Sequence, residues 1–118
     1  MLVDTSVWID HFRTRNARLS ELLEAGQVWI HPFVIGELAC GSLSQRRKIL
    51  MLLSALPGVT EAEHDEVMDF VEANTLFSKG LGWIDVHLLR SAQILRLPFW
   101  TLHKRLAAAA QELGLAPS

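Results

Sequence analysis

Four short runs, Met1-Leu2-Val3, Val28-Trp29-Ile30, Val59-Thr60 and Pro98-Phe99-Trp100-Thr101, are separated by stretches with helical patterning. This alternation is the strongest constraint on the fold. Strands that alternate with helices favour a parallel sheet covered on both faces, and such sheets bind ligands beyond the carboxyl ends of their strands. Asp4 follows the first run directly and so is placed at that edge.

The intervening stretches carry helix signals. Asp4-Thr5-Ser6 supplies capping groups for a helix over Ser6 to His11. Leu19, Leu22 and Leu23 keep helical spacing over Ala17 to Ala25, with Gly26 as the stop. Pro32 restarts the chain, and Phe33 to Ala39 continues helically with Glu37 inside it. Ile49, Leu52, Leu53 and Leu56 make one inward face over Gln45 to Leu56, ended by Pro57-Gly58. A further helix is expected over Glu63 to Phe77, built on Val67, Phe70 and Val71. After the loop Lys79 to Gly82, Asp85 falls near the first turn of a helix reaching Arg96, with Leu88, Ala92 and Leu95 facing inward. The last helix runs from Lys104 to Leu113, with four consecutive alanines before the stop at Gly114.

At 118 residues the chain fits one α/β domain spanning 1–118, and no linker or internal repeat divides it. With 50% apolar and 20% charged residues it suits a compact fold rather than a disordered chain. No stretch approaches the roughly 18 continuous apolar residues of a membrane span, and the acidic start is unlike a signal peptide, so a cytoplasmic protein is expected. The single cysteine, Cys40, excludes an internal disulfide and is read as a small buried hydrophobe. The net charge of −2 gives no general attraction to polyanions; contact with nucleic acid must use local basic clusters or metal ions.

Taken singly, Asp4 and Asp85 are explained as well by helix capping as by chemistry. Glu37, among Ile35, Leu38 and Ala39, must reach solvent or a partner that offsets desolvation. Arg13-Arg15-Arg18, Arg46-Arg47-Lys48 and Lys104-Arg105 could hold phosphates, but such clusters are more often simply solvated faces. Trp8, Trp29, Trp83 and Trp100 sit in apolar segments that favour core packing, with stacking on RNA as the lesser alternative, and His11, His31, His64 and His87 lack metal-ligand spacing.

Leu2-Val3-Asp4-Thr5-Ser6-Val7-Trp8-Ile9, then Ile35-Gly36-Glu37-Leu38-Ala39, then Gly82-Trp83-Ile84-Asp85-Val86-His87-Leu88-Leu89 and Phe99-Trp100-Thr101-Leu102-His103-Lys104-Arg105-Leu106-Ala107 together resemble the PIN-domain toxins of the VapC type. The resemblance implies a PIN-like domain, a short central parallel sheet flanked by helices on both faces. It implies that Asp4, Glu37 and Asp85 converge to hold magnesium or manganese beside an RNA phosphodiester, such as one in tRNA or rRNA. Hard oxygen ligands suit these ions, which relieve the repulsion among clustered carboxylates. Ser6 is a supporting candidate, Lys104 and Arg105 are candidates for holding RNA, and a VapB-type antitoxin and a homodimer are the implied partners. The helix Gln45 to Leu56 is a candidate wall of the antitoxin groove.

One position departs from the family. Where the pattern presents an aspartate in Trp-Thr-x-Asp-Lys-Arg-Leu, this chain has His103. The exchange removes a negative charge and a link to metal-bound water, which implies a weakened nuclease. The alternative is a PIN scaffold that binds RNA or protein without efficient turnover. A magnesium-binding signalling domain of similar architecture is a more distant reading.

Overall fold

The computed structural model describes residues 1–117; Ser118, the last residue of the expected domain, lies outside the described residues. The chain is α/β, with the order β1 (Leu2–Val3), α1 (Thr5–Thr14), α2 (Ala17–Glu24), α3 (Pro32–Ala39), α4 (Arg46–Ser54), α5 (His64–Ala73), α6 (Trp83–Leu95), β2 (Phe99–Trp100) and α7 (Lys104–Glu112).

β1 and β2 pair in parallel, Leu2 opposite Phe99 and Val3 opposite Trp100. Single parallel bridges from Leu2 to Trp29 and from Ile30 to Gly58 continue the ladder on the other side of β1. The expected run at 28–30 is therefore two isolated bridge residues, Trp29 and Ile30, and the expected run at 59–60 is neither strand nor bridge, the pairing there falling on Gly58. The ladder closes with Ile30 N donating to Pro57 O and Val59 N to Ile30 O, both at 2.9 Å. The ladder goes no further because α3 begins at Pro32, which has no N–H to donate to Val59 O; the carbonyl of Thr60 accepts from the Ser91 hydroxyl at 3.1 Å.

Leu2 and Val3 are both 0% exposed. Successive strand residues point to opposite faces, so the sheet is covered on both sides at its centre. Buried residues from Leu2 to Leu115 belong to one hydrophobic cluster. No helix among the described residues is long and apolar enough to cross a membrane.

Helix boundaries follow local chemistry that periodicity alone does not carry. α1 begins at Thr5 and runs on to Thr14, past the expected end at His11. α5 stops at Ala73 rather than Phe77, because the Asn74 side chain donates to Phe70 O and Thr75 turns to φ +51°. α6 begins two residues before Asp85, capped at Gly82.

Four apolar assignments need correction. On α4 only Leu53 is buried, and Leu52 is 60% exposed; adjacent helical residues lie about 100° apart, and α4, covering the core on one side only, turns Leu52 outward. Leu95 is exposed in the last turn of α6, just before Arg96 enters the left-handed region and the chain leaves the core. Cys40 is exposed at the C-cap of α3, where the helix ends. Among the tryptophans Trp8 alone is fully buried; Trp29 and Trp100 are half-buried and Trp83 is exposed.

His31 is the N-cap of α3 and is completely buried. Its Nδ1 accepts from Phe33 N at 2.9 Å, so the neutral ring carries its proton on Nε2, which has no partner among the described residues. Burial pushes its pKa down from 6.5 to about 4, with nearby His87 adding to the effect. The unfolded chain therefore takes up a proton that the folded chain refuses as pH falls from 6.5 towards 4, and stability falls across that window. Fully developed, this loss is on the order of 3 kcal/mol. Urea unfolding at pH 7 and pH 4.5 is expected to show a lower midpoint at the acid value, with the difference largely removed in His31→Asn.

Candidate active site

Asp4 stands at the carboxyl end of β1, on the sheet edge expected for a ligand site. Its backbone is fixed by the ladder, Asp4 N donating to Trp100 O at 2.9 Å. Its side chain is 3% exposed and caps α1. Oδ2 accepts from the hydroxyls of Ser6 at 2.7 Å and Thr101 at 2.8 Å, and more weakly from Ser6 N at 3.4 Å. Oδ1 has no hydrogen-bond partner among the described residues.

The partners of Asp4 are themselves held. Ser6 Oγ accepts from Leu102 N at 3.0 Å, and Thr101 Oγ1 accepts from His103 N at 3.1 Å. The segment after β2 is thus tied to the start of α1 through one carboxylate oxygen. Thr101 was not singled out as a site residue from the sequence. The available signal was its position, a hydroxyl immediately after a strand that runs parallel to β1.

Glu37 lies in the last turns of α3 and is exposed. Thr5, next to Asp4, donates from its hydroxyl to Glu37 Oε1 at 2.7 Å, which brings the α3 acid to the start of α1. Asp85 is half-buried at the third position of α6, where its Oδ2 accepts from Gly82 N at 2.8 Å, the one half of a capping box that a glycine N-cap allows. No hydrogen bond joins Asp85 to Asp4 or Glu37.

His103 is the exposed N-cap of α7, and its side chain makes no capping bond. Lys104 and Arg105 are exposed beside it. Arg105 lies across Gly80 in the loop before α6; a Cβ at Gly80, whose φ is +76°, would meet the guanidinium and Cδ of Arg105. Lys79 of the same loop pairs with Glu112 of α7 at 3.0 Å. α7 therefore holds the loop that leads to the Asp85 cap.

A divalent cation suits these donors by chemistry: all three are hard carboxylates, and each spends one oxygen on a protein donor while the other accepts no hydrogen bond among the described residues. Asp4 adds a second argument. A carboxylate this buried is costly without a cation, yet its partners are neutral and no described Lys, Arg or His forms an ion pair with it. The three acids are not a ready chelate: among the described residues no group of three His, Cys, Asp or Glu side chains is gathered to hold an ion.

The PIN domain family profile matches residues 1–112. Ribonuclease VapC32 of Mycobacterium tuberculosis, from strains CDC 1551 / Oshkosh and ATCC 25618 / H37Rv, is 46% identical over 117 residues, covering 98% of this chain and 94% of that protein.

Proposed function

The chain belongs to the PIN-domain family, in its VapC-type branch, and from that premise we propose that it is a divalent-metal-dependent ribonuclease, a toxin held in check by a VapB-type antitoxin. The observation that carries the reading is Asp4: a buried carboxylate at the strand edge, with one oxygen saturated by hydroxyls and, among the described residues, no hydrogen bond to the other and no cationic partner. The name of the relative, a ribonuclease, supplies the substrate class.

In this reading Asp4, Glu37 and Asp85 hold magnesium or manganese, and residues 1–118 act as one domain in the cytoplasm. Magnesium keeps several waters and takes only one or two carboxylates directly, so the three acids need not all touch the ion. When bound, the ion supplies Lewis-acid polarisation of the scissile phosphodiester and neutralises charge there. Ser6 and Thr101 hold the Asp4 carboxylate through Oδ2, leaving Oδ1 as the oxygen that would hold the ion. Thr5 restrains Glu37, and Gly82 N restrains Asp85. Lys104, exposed at the start of α7, is the candidate contact for an RNA phosphate; Arg105 would divide that role with packing on Gly80.

The antitoxin has a fitting surface between α1 and α4. A hollow of about 310 Å³ is lined by Trp8, Phe12, Leu23, Leu52, Leu53 and Leu56. A second of about 360 Å³, sharing Phe12 and Ile49 with it, extends to Glu37. An apolar segment laid along both would cover one of the acids, with Met51 and Leu52 of α4 as its exposed wall. A homodimer completes the proposed assembly.

The second reading, a scaffold without efficient turnover, is favoured by His103 alone. Calorimetric titration with manganese and an RNA-cleavage assay separate the two. The enzyme reading expects the purified chain to bind the ion and to cut RNA, with both properties lost in Asp85→Asn. RNA binding without metal-dependent cleavage supports the scaffold.

A further inference from the structure

Asp4 and Asp85 share no hydrogen bond, yet α7 is tied to both. At its start His103, the N-cap, donates from its backbone N to Thr101 Oγ1 at 3.1 Å, and that hydroxyl donates to Asp4 Oδ2 at 2.8 Å. Farther along, α7 reaches the loop before α6. Glu112 pairs with Lys79 at 3.0 Å, and Arg105 lies so close across Gly80 that a Cβ there would collide with its Cδ and guanidinium. Leu81 packs against the core, but among the described residues no backbone hydrogen bond involves residues 77–81. The loop therefore depends on side-chain contacts for its position.

That loop leads straight into the cap. Gly82 N holds Asp85 Oδ2 at 2.8 Å, while Val86, Leu88 and Leu89 anchor the rest of α6 in the core. Movement of the loop thus shifts the Asp85 carboxylate rather than the helix. Glycine at position 80 permits the contact in two ways: it adopts a φ of +76° without steric cost, and its missing Cβ leaves the space that Arg105 fills. Arg105 forms no hydrogen bond or ion pair among the described residues, so this contact is its tie to the fold. We propose that Arg105 is a positioning residue: lying on Gly80, it braces the loop against α7 and holds the Asp85 carboxylate in the setting, relative to Asp4, that a shared divalent ion requires. The assignment rests on the metal reading above. Charge alone predicts the reverse effect, since removing a cation near the acids favours an incoming metal ion, whereas loss of the brace disfavours it.

The test is calorimetric titration of the purified chain with manganese. Arg105→Ala is expected to weaken binding about tenfold, the lower end of what outer groups that orient a ligand contribute. Gly80→Ala, which removes no charge, is expected to weaken it to a similar degree. The double variant should lose less than the product of the two losses, because the residues share one contact. Amide exchange followed by NMR should be faster at Gly82 N–H in both single variants and unchanged in the buried turns of α6. Circular dichroism establishes that the variants keep the fold. A double variant that shows the full product, or an unchanged exchange rate at Gly82, overturns the brace. So does weaker RNA binding by Arg105→Ala in chelator with manganese affinity intact, which assigns the guanidinium to a phosphate. If the unmodified chain binds manganese and Arg105→Ala binds it equally or more tightly, only the brace falls. If the unmodified chain binds no manganese, the metal reading falls with it.

Discussion

Asp4→Asn is expected to lower metal-dependent RNA cleavage by more than about 100-fold, because removal of a direct ligand exceeds the loss seen for outer groups that merely orient one. The same substitution leaves the fold in place. Asparagine is as good an N-cap as aspartate, and its amide oxygen can accept from the Ser6 and Thr101 hydroxyls as Oδ2 does. Without a cation the wild-type carboxylate is buried among neutral partners, so the variant's midpoint in thermal unfolding should match or exceed that of the metal-free parent. Manganese should raise the midpoint of the parent alone, since a ligand that binds only the native state stabilises it. Cleavage that persists in Asp4→Asn would remove this residue from the site.

His103→Asp is expected to act in the opposite direction. A carboxylate here restores the family's fourth acid and, with it, a further negative group for an ion or its water. We expect kcat/KM for RNA to rise about tenfold or more, equivalent to about 1.4 kcal/mol of transition-state stabilisation. The fold should tolerate the change well: His103 is exposed and makes no side-chain cap, whereas aspartate is a preferred cap and favours the positive end of α7. Improved thermal stability without a gain in rate would mean that residue 103 serves α7 and not the chemistry.

The parallel architecture was legible because its signals are local. Apolar triplets, proline at the first turn of α3 and glycines after α2 and α7 punctuate the chain at the observed places. Strand length was not legible. Beyond Ile30 the ladder stops where α3 begins at Pro32, which has no N–H to donate, and Thr60 is held instead by the Ser91 hydroxyl, distant in sequence. Nor was the end of α5, which depends on Asn74 folding back onto Phe70 O. Periodicity also cannot choose between adjacent leucines, which is why Leu53 rather than Leu52 occupies the core.

For the site, the position of Asp4 after a strand was readable, while its hydroxyl cradle was not. Thr101 lies 97 positions away in the chain and reaches Asp4 only because β2 runs beside β1. The link from Thr5 to Glu37 likewise needs α1 and α3 packed together. The exposure of Trp83 went unrecognised because an apolar segment at a helix start looks the same whether its indole is covered or merely propped by neighbouring rings.

The central claim is that carboxylates led by Asp4 use a divalent ion to cut RNA. Its most direct test is end-labelled RNA incubated with the purified, unmodified chain in chelator, then in excess magnesium, beside Asp4→Asn under the same conditions. The account predicts no cleavage in chelator, cleavage on adding magnesium, and none with the variant. Equal cleavage in chelator and in magnesium, or no cleavage by the unmodified chain in either, would contradict it.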